Sequence, residues 1–358
     1  RPSSRPKSRR CPSRAKSGLA RVGPWPLALL AALLTASLCL PALGQTTTYT
    51  WQLTGSDGNW SVDTNWSPPG YPNASTHIAL FDNRTATGKW TITLTEDITI
   101  NGFQVTFTQT NPVSYISLER PSGTGWKLTF DGTDPTVHVT TPFGGATALR
   151  ISVPVVVGSS GLKKTGSTGA VGFYGGLEGS GNVTLDTNGE RVELLASSPN
   201  FTGDFIINSG AILQVRTPAA NSLGDTTGKT IIKQGGQFMF RDPSAVSSSE
   251  PFVVDGVYYR GSIHCYNANA TIDGPITLNA NGTFGVSNWG GEDNTRTFTI
   301  KSALSGARSI YLLGDYRDGK GPNARKNVIV LDANNTYTGN TYITSNVHDG
   351  NNPFTGNV

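Results

Sequence analysis

Cysteine is nearly absent from this chain of 358 residues, which contains only Cys11, Cys39 and Cys265. The first two lie in a basic N-terminal stretch, so the remainder has one cysteine and cannot form an internal disulfide. Zinc-ligand spacings are missing as well, and we expect no cofactor. Stability must therefore come from backbone hydrogen bonding and side-chain packing.

Charged residues are also scarce, at 15% of the chain, whereas glycine (43) and proline (21) are abundant. Helices favour Ala, Leu, Glu and Lys, while Gly, Pro, Asn and Thr suit short strands joined by tight turns. The glycines follow no three-residue period, which excludes collagen, and 36% hydrophobic residues are enough to bury a core. The composition predicts an all-β fold.

Acidic residues are missing altogether from residues 1–44, which carry eight Lys and Arg. An uncharged apolar run covers residues 27–40, and the small residues Ala42 and Gly44 come just before Gln45. This order is typical of a secretory signal peptide. We assign residues 1–44 to a basic leader and signal peptide, and expect the exported protein to begin at Gln45.

Two other interpretations of the leader are weaker. The apolar run falls short of the roughly 20 residues that span a bilayer. Leu38 stands where a lipoprotein signal has a small residue, so lipid attachment at Cys39 is disfavoured.

The chain without its leader is acidic. It retains 20 of the 28 basic residues and all 24 acidic ones, which gives a net charge of −4. We therefore expect no nucleic-acid-binding surface.

Residues 45–89 are rich in tryptophan and turn residues, with Gly58-Asn59-Trp60 and Asn65-Trp66 as the densest part. Large aromatic side chains bury much area without long strands, so this segment is predicted to cap the end of a stack. The alternative is a glycan-binding surface, in which exposed Trp60 and Trp66 rings stack on sugars.

Residues 90–358 alternate apolar and polar positions in short runs such as Trp90-Thr91-Ile92-Thr93-Leu94. They also repeat internally: residues 198–207 match residues 334–343. Three short strands and three turns give roughly 24 residues per coil, or roughly eleven coils. We predict a right-handed parallel β-helix, with the following side chains pointing inward: Ile206, Ile212, Ile231 and Ile343.

With these segments identified, the chain resembles the autotransporter-associated β-strand repeat proteins, the family containing the passenger-associated transport repeat. The blocks that carry the resemblance are Trp51…Gly58-Asn59-Trp60…Asn65-Trp66, residues 161–166, Phe201-Thr202-Gly203 with residues 210–215 and 221–224, residues 272–278 and 297–300, and Tyr337-Thr338-Gly339. Lys163 and Phe201 depart from the family's usual Thr and Tyr without changing the polar or aromatic character.

The resemblance implies a secreted or surface-displayed β-helical passenger of a bacterial cell, with no catalytic residues to transfer. Members of the family end in a membrane barrel or a sorting tail. We accordingly expect this chain to be truncated at its C-terminus, with membrane contact only through that missing anchor.

A polysaccharide-active enzyme is the least favoured function. The acidic pair Glu292-Asp293 and the four histidines form no recognisable catalytic motif. A non-catalytic scaffold for structure or display is preferred, and an adhesin or glycan-binding protein is the alternative. The partners expected are cell-surface glycans or further copies of the chain.

Overall fold

The computed structural model describes residues 45–53, 56–83, 88–107, 115–142, 147–216, 221–241, 245–287, 295–315 and 327–346. The chain divides into two units, Arg1–Gln45 and Thr46–Val358. The predicted leader, residues 1–44, lies outside the described residues, and so do residues 347–358.

Within its described residues the second unit consists of β-strands and one 3₁₀ turn, Asp63–Asn65, and has no helix long and apolar enough to cross a membrane. The strands are β1 Thr47–Trp51, β2 Gly58–Asn59, β3 Trp66–Ser67, β4 Ala74–Asn83, β5 Lys89–Thr93, β6 Ile98–Phe107, β7 Tyr115–Glu119, β8 Leu128–Phe130, β9 Thr136–Thr140, β10 Thr147–Ile151, β11 Val155–Val157, β12 Leu162–Thr165, β13 Ala170–Phe173, β14 Leu177–Gly179, β15 Val183–Leu185, β16 Arg191–Leu194, β17 Asn200–Phe201, β18 Phe205–Ile207, β19 Ile212–Val215, β20 Thr230–Lys233, β21 Gln237–Phe240, β22 Ala245–Ser248, β23 Phe252–Asp255, β24 Ile263–Tyr266, β25 Asn269–Ile272, β26 Ile276–Leu278, β27 Gly282–Ser287, β28 Arg296–Ile300, β29 Leu304–Ser305, β30 Ile310–Asp315, β31 Asn327–Leu331 and β32 Thr341–Asn346.

These strands stack in three sheets that run along a β-solenoid. The twelve-strand sheet takes roughly every third strand, in the order β2-β5-β7-β10-β13-β16-β19-β21-β24-β27-β30-β32. A sixteen-strand sheet and a four-strand sheet supply the other sides. The long strand β6 pairs with β8 at one end and with β9 at the other, so it turns a corner. Pairing is parallel except between β1 and β3, which confirms the predicted parallel solenoid.

Aligned apolar side chains fill the interior from coil to coil. In the twelve-strand sheet Val192 pairs with Leu213, Leu213 with Phe238, Phe238 with Ile263 and Ile263 with Phe284. All five side chains are fully buried. Because like positions of successive coils meet directly, each coil covers its neighbour, and the core is a continuous column.

The predicted inward positions of Ile206, Ile212 and Ile231 are wrong by one residue. All three side chains are only half-buried, whereas their neighbours Phe205, Ile207, Leu213 and Ile232 are fully buried. Side chains alternate along a strand, so a shift of one residue exchanges the inner and outer sets. Ile206 pairs with Ile231 on the outer surface of the sixteen-strand sheet.

Ile343 differs from the prediction for another reason. It pairs with Leu312 in the same column as the buried Phe284, but its side chain is 84% exposed. Strand β32 is the last in the order of the twelve-strand sheet, so no further described strand lies over Ile343.

Coil length varies more than the sequence estimate assumed. Val192 and Leu213 are 21 residues apart and Leu213 and Phe238 are 25 apart, close to the expected 24. Ile116 and Leu149, however, are 33 apart because their coil contains longer connections. The twelve-strand sheet nevertheless contains eleven strands from β5 onward, one in each coil, which agrees with the predicted number of roughly eleven coils.

Side-chain oxygens at the corners join each coil to the next. The carbonyl or carboxylate oxygen of an Asn or Asp accepts a backbone N–H from the following coil. We call this set the corner ladder: Asn73 to Thr99 (2.8 Å), Asp97 to Lys127 (2.9 Å), Asn182 to Asp204 (3.0 Å), Asp204 to Lys229 (3.1 Å) and Asn269 to Thr297 (2.9 Å). These Asp and Asn side chains thus hold neighbouring coils together.

Removing one oxygen of the corner ladder should weaken the solenoid measurably. We expect Asp204→Ala to lower the free energy of unfolding by about 1 kcal/mol, because the Lys229 N–H loses its acceptor. Asp204→Asn keeps an oxygen in place and should stay within about 0.5 kcal/mol of the native protein. Urea denaturation of the three proteins measures both values. If Asp204→Ala and Asp204→Asn lost equal stability, the loss would come from the missing negative charge and not from the missing acceptor.

Candidate functional site

Trp60 and Trp66, the predicted glycan contacts, lie inside the protein. Trp60 is 0% and Trp66 2% exposed. The Trp66 ring centroid lies 5.0 Å from those of both Trp51 and Trp60, and both Trp60 and Trp66 contact Phe81. The expectation that a glycan-binding protein exposes these two rings together is not met, because neighbouring aromatic side chains cover them.

Every indole N–H in this cluster already has an acceptor. Trp60 Nε1 donates to the Pro72 carbonyl (2.9 Å), Trp66 Nε1 to that of Trp60 (2.7 Å) and Trp51 Nε1 to that of Leu53 (2.9 Å). Buried aromatic area with satisfied polar groups is what a packed element requires. The cluster therefore serves packing near the N-terminus of the solenoid.

Few of the residues considered for catalysis come together. Glu292, Asp293 and His348 lie outside the described residues. Elsewhere in the described chain, no three His, Cys, Asp or Glu side chains are placed to hold a metal ion. Burial raises the pKa of the Cys265 thiol to about 12, so it stays protonated at neutral pH and is a poor nucleophile.

A cluster of charged side chains lies on the outer surface of the twelve-strand sheet. We call it the arginine array: Arg191, Glu193, Arg216 and Arg241. Leu194 pairs with Val215 and Val215 with Phe240, so Arg216 and Arg241 occupy equivalent positions just beyond two successive strands. Their charges are brought together by stacking of coils, not by nearness in the chain.

Glu193 is the centre of the arginine array and is fully buried. Its Oε1 accepts from Arg191 Nε (2.7 Å) and Arg216 Nη1 (3.2 Å), and its Oε2 accepts from the Thr147 hydroxyl (2.8 Å). Burial alone would raise the pKa of Glu193, but the two arginines and the Thr147 hydrogen bond outweigh it and hold the pKa below its usual range. One carboxylate thus orients two guanidinium groups.

Arg241 differs because the two groups that it contacts, Gln214 and Tyr266, are neutral. Its Nη1 lies 3.4 Å from Gln214 Oε1, and its guanidinium carbon lies 5.5 Å from the centre of the Tyr266 ring. Burial and the positive charges of Arg191 and Arg216 lower the pKa of Arg241. Among the described residues it makes no ion pair, so its charge is only partly compensated.

A second unusual group is Glu250, which is buried where the four-strand sheet begins. Its Oε1 accepts from the Thr230 hydroxyl (2.8 Å), while its Oε2 meets no hydrogen-bond partner among the described residues. Glu250 lines a cavity of about 20 Å³ together with Ser222, Ser248 and Ser249, which is room for one water molecule. Burial raises its pKa well above the usual range.

The raised pKa gives a pH-dependent prediction for Glu250→Gln. The unfolded chain ionises Glu250 above about pH 4.3 while the folded protein keeps the proton, so native stability falls as pH rises from there towards the folded pKa. Gln is neutral and similar in shape, so the variant lacks this loss. Urea denaturation at several pH values should show that the free energy of unfolding of the variant, relative to that of the native protein, increases between pH 4 and 7. A difference that stays constant with pH would show that Glu250 ionises normally.

Sequence reasoning missed the arginine array, although a signal was present. Arg216 and Arg241 each follow a strand and lie 25 residues apart, close to the expected coil length of about 24 residues. A search for like charges at that spacing finds the pair. The contribution of Glu193 has no such signal, because its role depends on the register of the strands.

Comparison with known proteins gives one informative similarity. The chain is 27% identical over 175 residues to a protein described as a probable autotransporter, YfaL of Escherichia coli K12. The match covers 48% of this chain and only 12% of that protein. No protein-family model and no solved structure match the chain. The specific repeat family that the sequence resembles therefore stays a prediction.

Proposed function

We propose that this chain is a non-catalytic β-helical scaffold of the autotransporter-passenger type, secreted or displayed at a bacterial surface. The similarity to a probable autotransporter supports the type of protein. The observation that carries the scaffold role is the architecture: a continuous core with the corner ladder joining successive coils. Such a stack gives a long, stiff body whose outer surface is free to present loops.

The positions of the acidic side chains also favour a structural role. Asp97 and Asp204 accept backbone N–H groups at corners, and Glu193 is held by two arginines. Glycoside hydrolysis needs two carboxyl groups that flank one bond, with one of them able to donate a proton. These three acids are thus already engaged in holding the fold together.

Surface display can be tested on the source bacterium with antibodies raised against residues 46–346. Intact cells should bind the antibody, or the culture medium should contain the protein. External protease should remove the cell-bound signal while leaving a cytoplasmic marker intact. Antibody binding that appears only after lysis would contradict the proposal.

The non-catalytic part needs a separate measurement. The purified protein is incubated with a panel of bacterial and host polysaccharides, and the release of reducing ends is followed. We expect no release above a heat-denatured control. Turnover that persists after further purification would make the protein an enzyme.

A further inference from the structure

The arginine array carries more positive charge than its own carboxylate neutralises. The guanidinium groups of Arg191 and Arg216 share Glu193 Oε1, and Arg241 lies one coil beyond Arg216. The array contains three arginines and one glutamate, so within it two positive charges are in excess. Arginines of like charge placed one coil apart repel each other, so the array is poised to accept an anion.

The array is open enough for a ligand to reach. The Arg216 side chain is 36% exposed and that of Arg191 18%, although Glu193 beneath them is covered completely. Arg241 and Tyr266 are each half-buried. The buried carboxylate therefore holds the guanidinium groups in place from below, and these groups form the accessible layer above it.

An aromatic ring lies directly beside these cations. Phe240 pairs with Cys265, so Tyr266 follows Arg241 at the equivalent position on the next coil. The Tyr266 ring meets that of His264 edge to face, with centroids 5.8 Å apart, and His264 is itself held by Ser287 (2.9 Å). Packing on a buried neighbour fixes the orientation of the Tyr266 ring.

We propose that Arg216, Arg241 and Tyr266 form a binding site for a carboxylated glycan. The planar guanidinium group matches a carboxylate in charge and geometry, and the tyrosine offers an apolar ring with a polar tip on which a sugar packs. Successive coils are about 4.8 Å apart, so the three side chains form a row along the solenoid axis. A linear acidic chain lying along that axis can contact all three.

The test uses an oligomer of galacturonic acid, with the neutral galactose oligomer of equal length as its counterpart. Titration calorimetry of the purified protein should show binding of the acidic oligomer that weakens as salt rises, and no binding of the neutral one. Arg241→Ala should weaken binding at least tenfold, and Tyr266→Ala several-fold. Arg241→Lys keeps the charge but not the planar fork and should lie between Ala and native.

Lys233→Ala is the matched control. It also removes one positive charge, but Lys233 pairs with Asp255 on the sixteen-strand sheet, away from the array. Its affinity for the acidic oligomer should equal that of the native protein. Arg241 makes no ion pair among the described residues, so its variants should fold. Thermal unfolding measures whether the variants are folded. If Arg241→Ala does not fold, the affinity of Arg241→Lys for the acidic oligomer provides the test.

Three outcomes would overturn the inference. Equal binding of both oligomers would remove the role of charge, and unchanged affinity in Arg241→Ala would locate binding elsewhere. Equally tight binding of a DNA oligonucleotide through the same arginines would make the site a general polyanion surface. A protein that is displayed at the surface but binds no oligomer would contradict this inference and leave the scaffold role intact.

Discussion

Ile207→Asp should destabilise the solenoid by about 3–5 kcal/mol, because it places an unpaired charge in the core. Ile207 is fully buried, and its backbone pairs with Leu185 on one side and the buried Ile232 on the other. The carboxylate would meet only apolar side chains on both neighbouring coils. Chemical denaturation measures the loss, and a variant that does not fold satisfies the prediction as well.

Ile206→Asp is the matched control, one residue away on the same strand. Its side chain points to the outer surface and is only half-buried, so the charge remains in contact with water. We expect a loss of about 1 kcal/mol or less. Equal losses at the two positions would mean that the alternation along β18 is not as described.

Lys164→Met should stabilise the protein at neutral pH by about 1–3 kcal/mol. Lys164 is a core position: it pairs with Val137 and Leu185, and it is only 3% exposed. Burial lowers its pKa to about 8, although the charge of Glu190 opposes this, and its Nζ donates to the Thr165 carbonyl (2.6 Å). A fall from 10.5 to about 8 corresponds to a cost of about 3 kcal/mol for keeping the ammonium folded.

The pH dependence of this gain follows from the direction of the shift. The unfolded chain holds the Lys164 proton up to about pH 10.5, whereas the folded protein releases it near pH 8. The cost is therefore complete below pH 8 and disappears as pH rises to 10.5. Met, which has no charge, should gain most at pH 7 and little at pH 10. Denaturation at these two pH values measures the difference.

Lys163→Met controls for the loss of a lysine as such. Lys163 points outward on the same strand and lies 3.5 Å from the exposed carboxylate of Asp134. An exposed pair of this kind contributes little, so we expect a change within about 0.5 kcal/mol. If Lys164→Met proved less stable than the native protein at pH 7, the buried ammonium would have to be a net stabilising group.

The sequence predicted the architecture well because composition and alternation act along the whole chain. Scarce helix formers, short alternating runs and frequent turn residues all indicate stacked strands, and the strands do stack in parallel. The hydrogen bonds from corner side chains such as Asp97 and Asn182 to the next coil could not be predicted, because that contact depends on which coils align.

Errors arose where the alternation is locally lost. Phe205, Ile206 and Ile207 are three apolar residues in a row, so the pattern does not say which of them face inward. Lys164 presents the opposite difficulty, since a lysine at a core position contradicts the rule used to find the core. The tryptophans could be read as exposed or buried because neighbouring turn residues suit both.

The coil lengths also determine how the protein responds to being stretched along its axis. Each of the regular coils contains 21 to 25 residues but adds only about 5 Å to the folded length. Pulled out fully, those residues span about 70–90 Å. A tether made of such coils lengthens many-fold in separate steps, one for each coil that detaches with its corner hydrogen bonds. Under load it therefore yields gradually and does not break away at once.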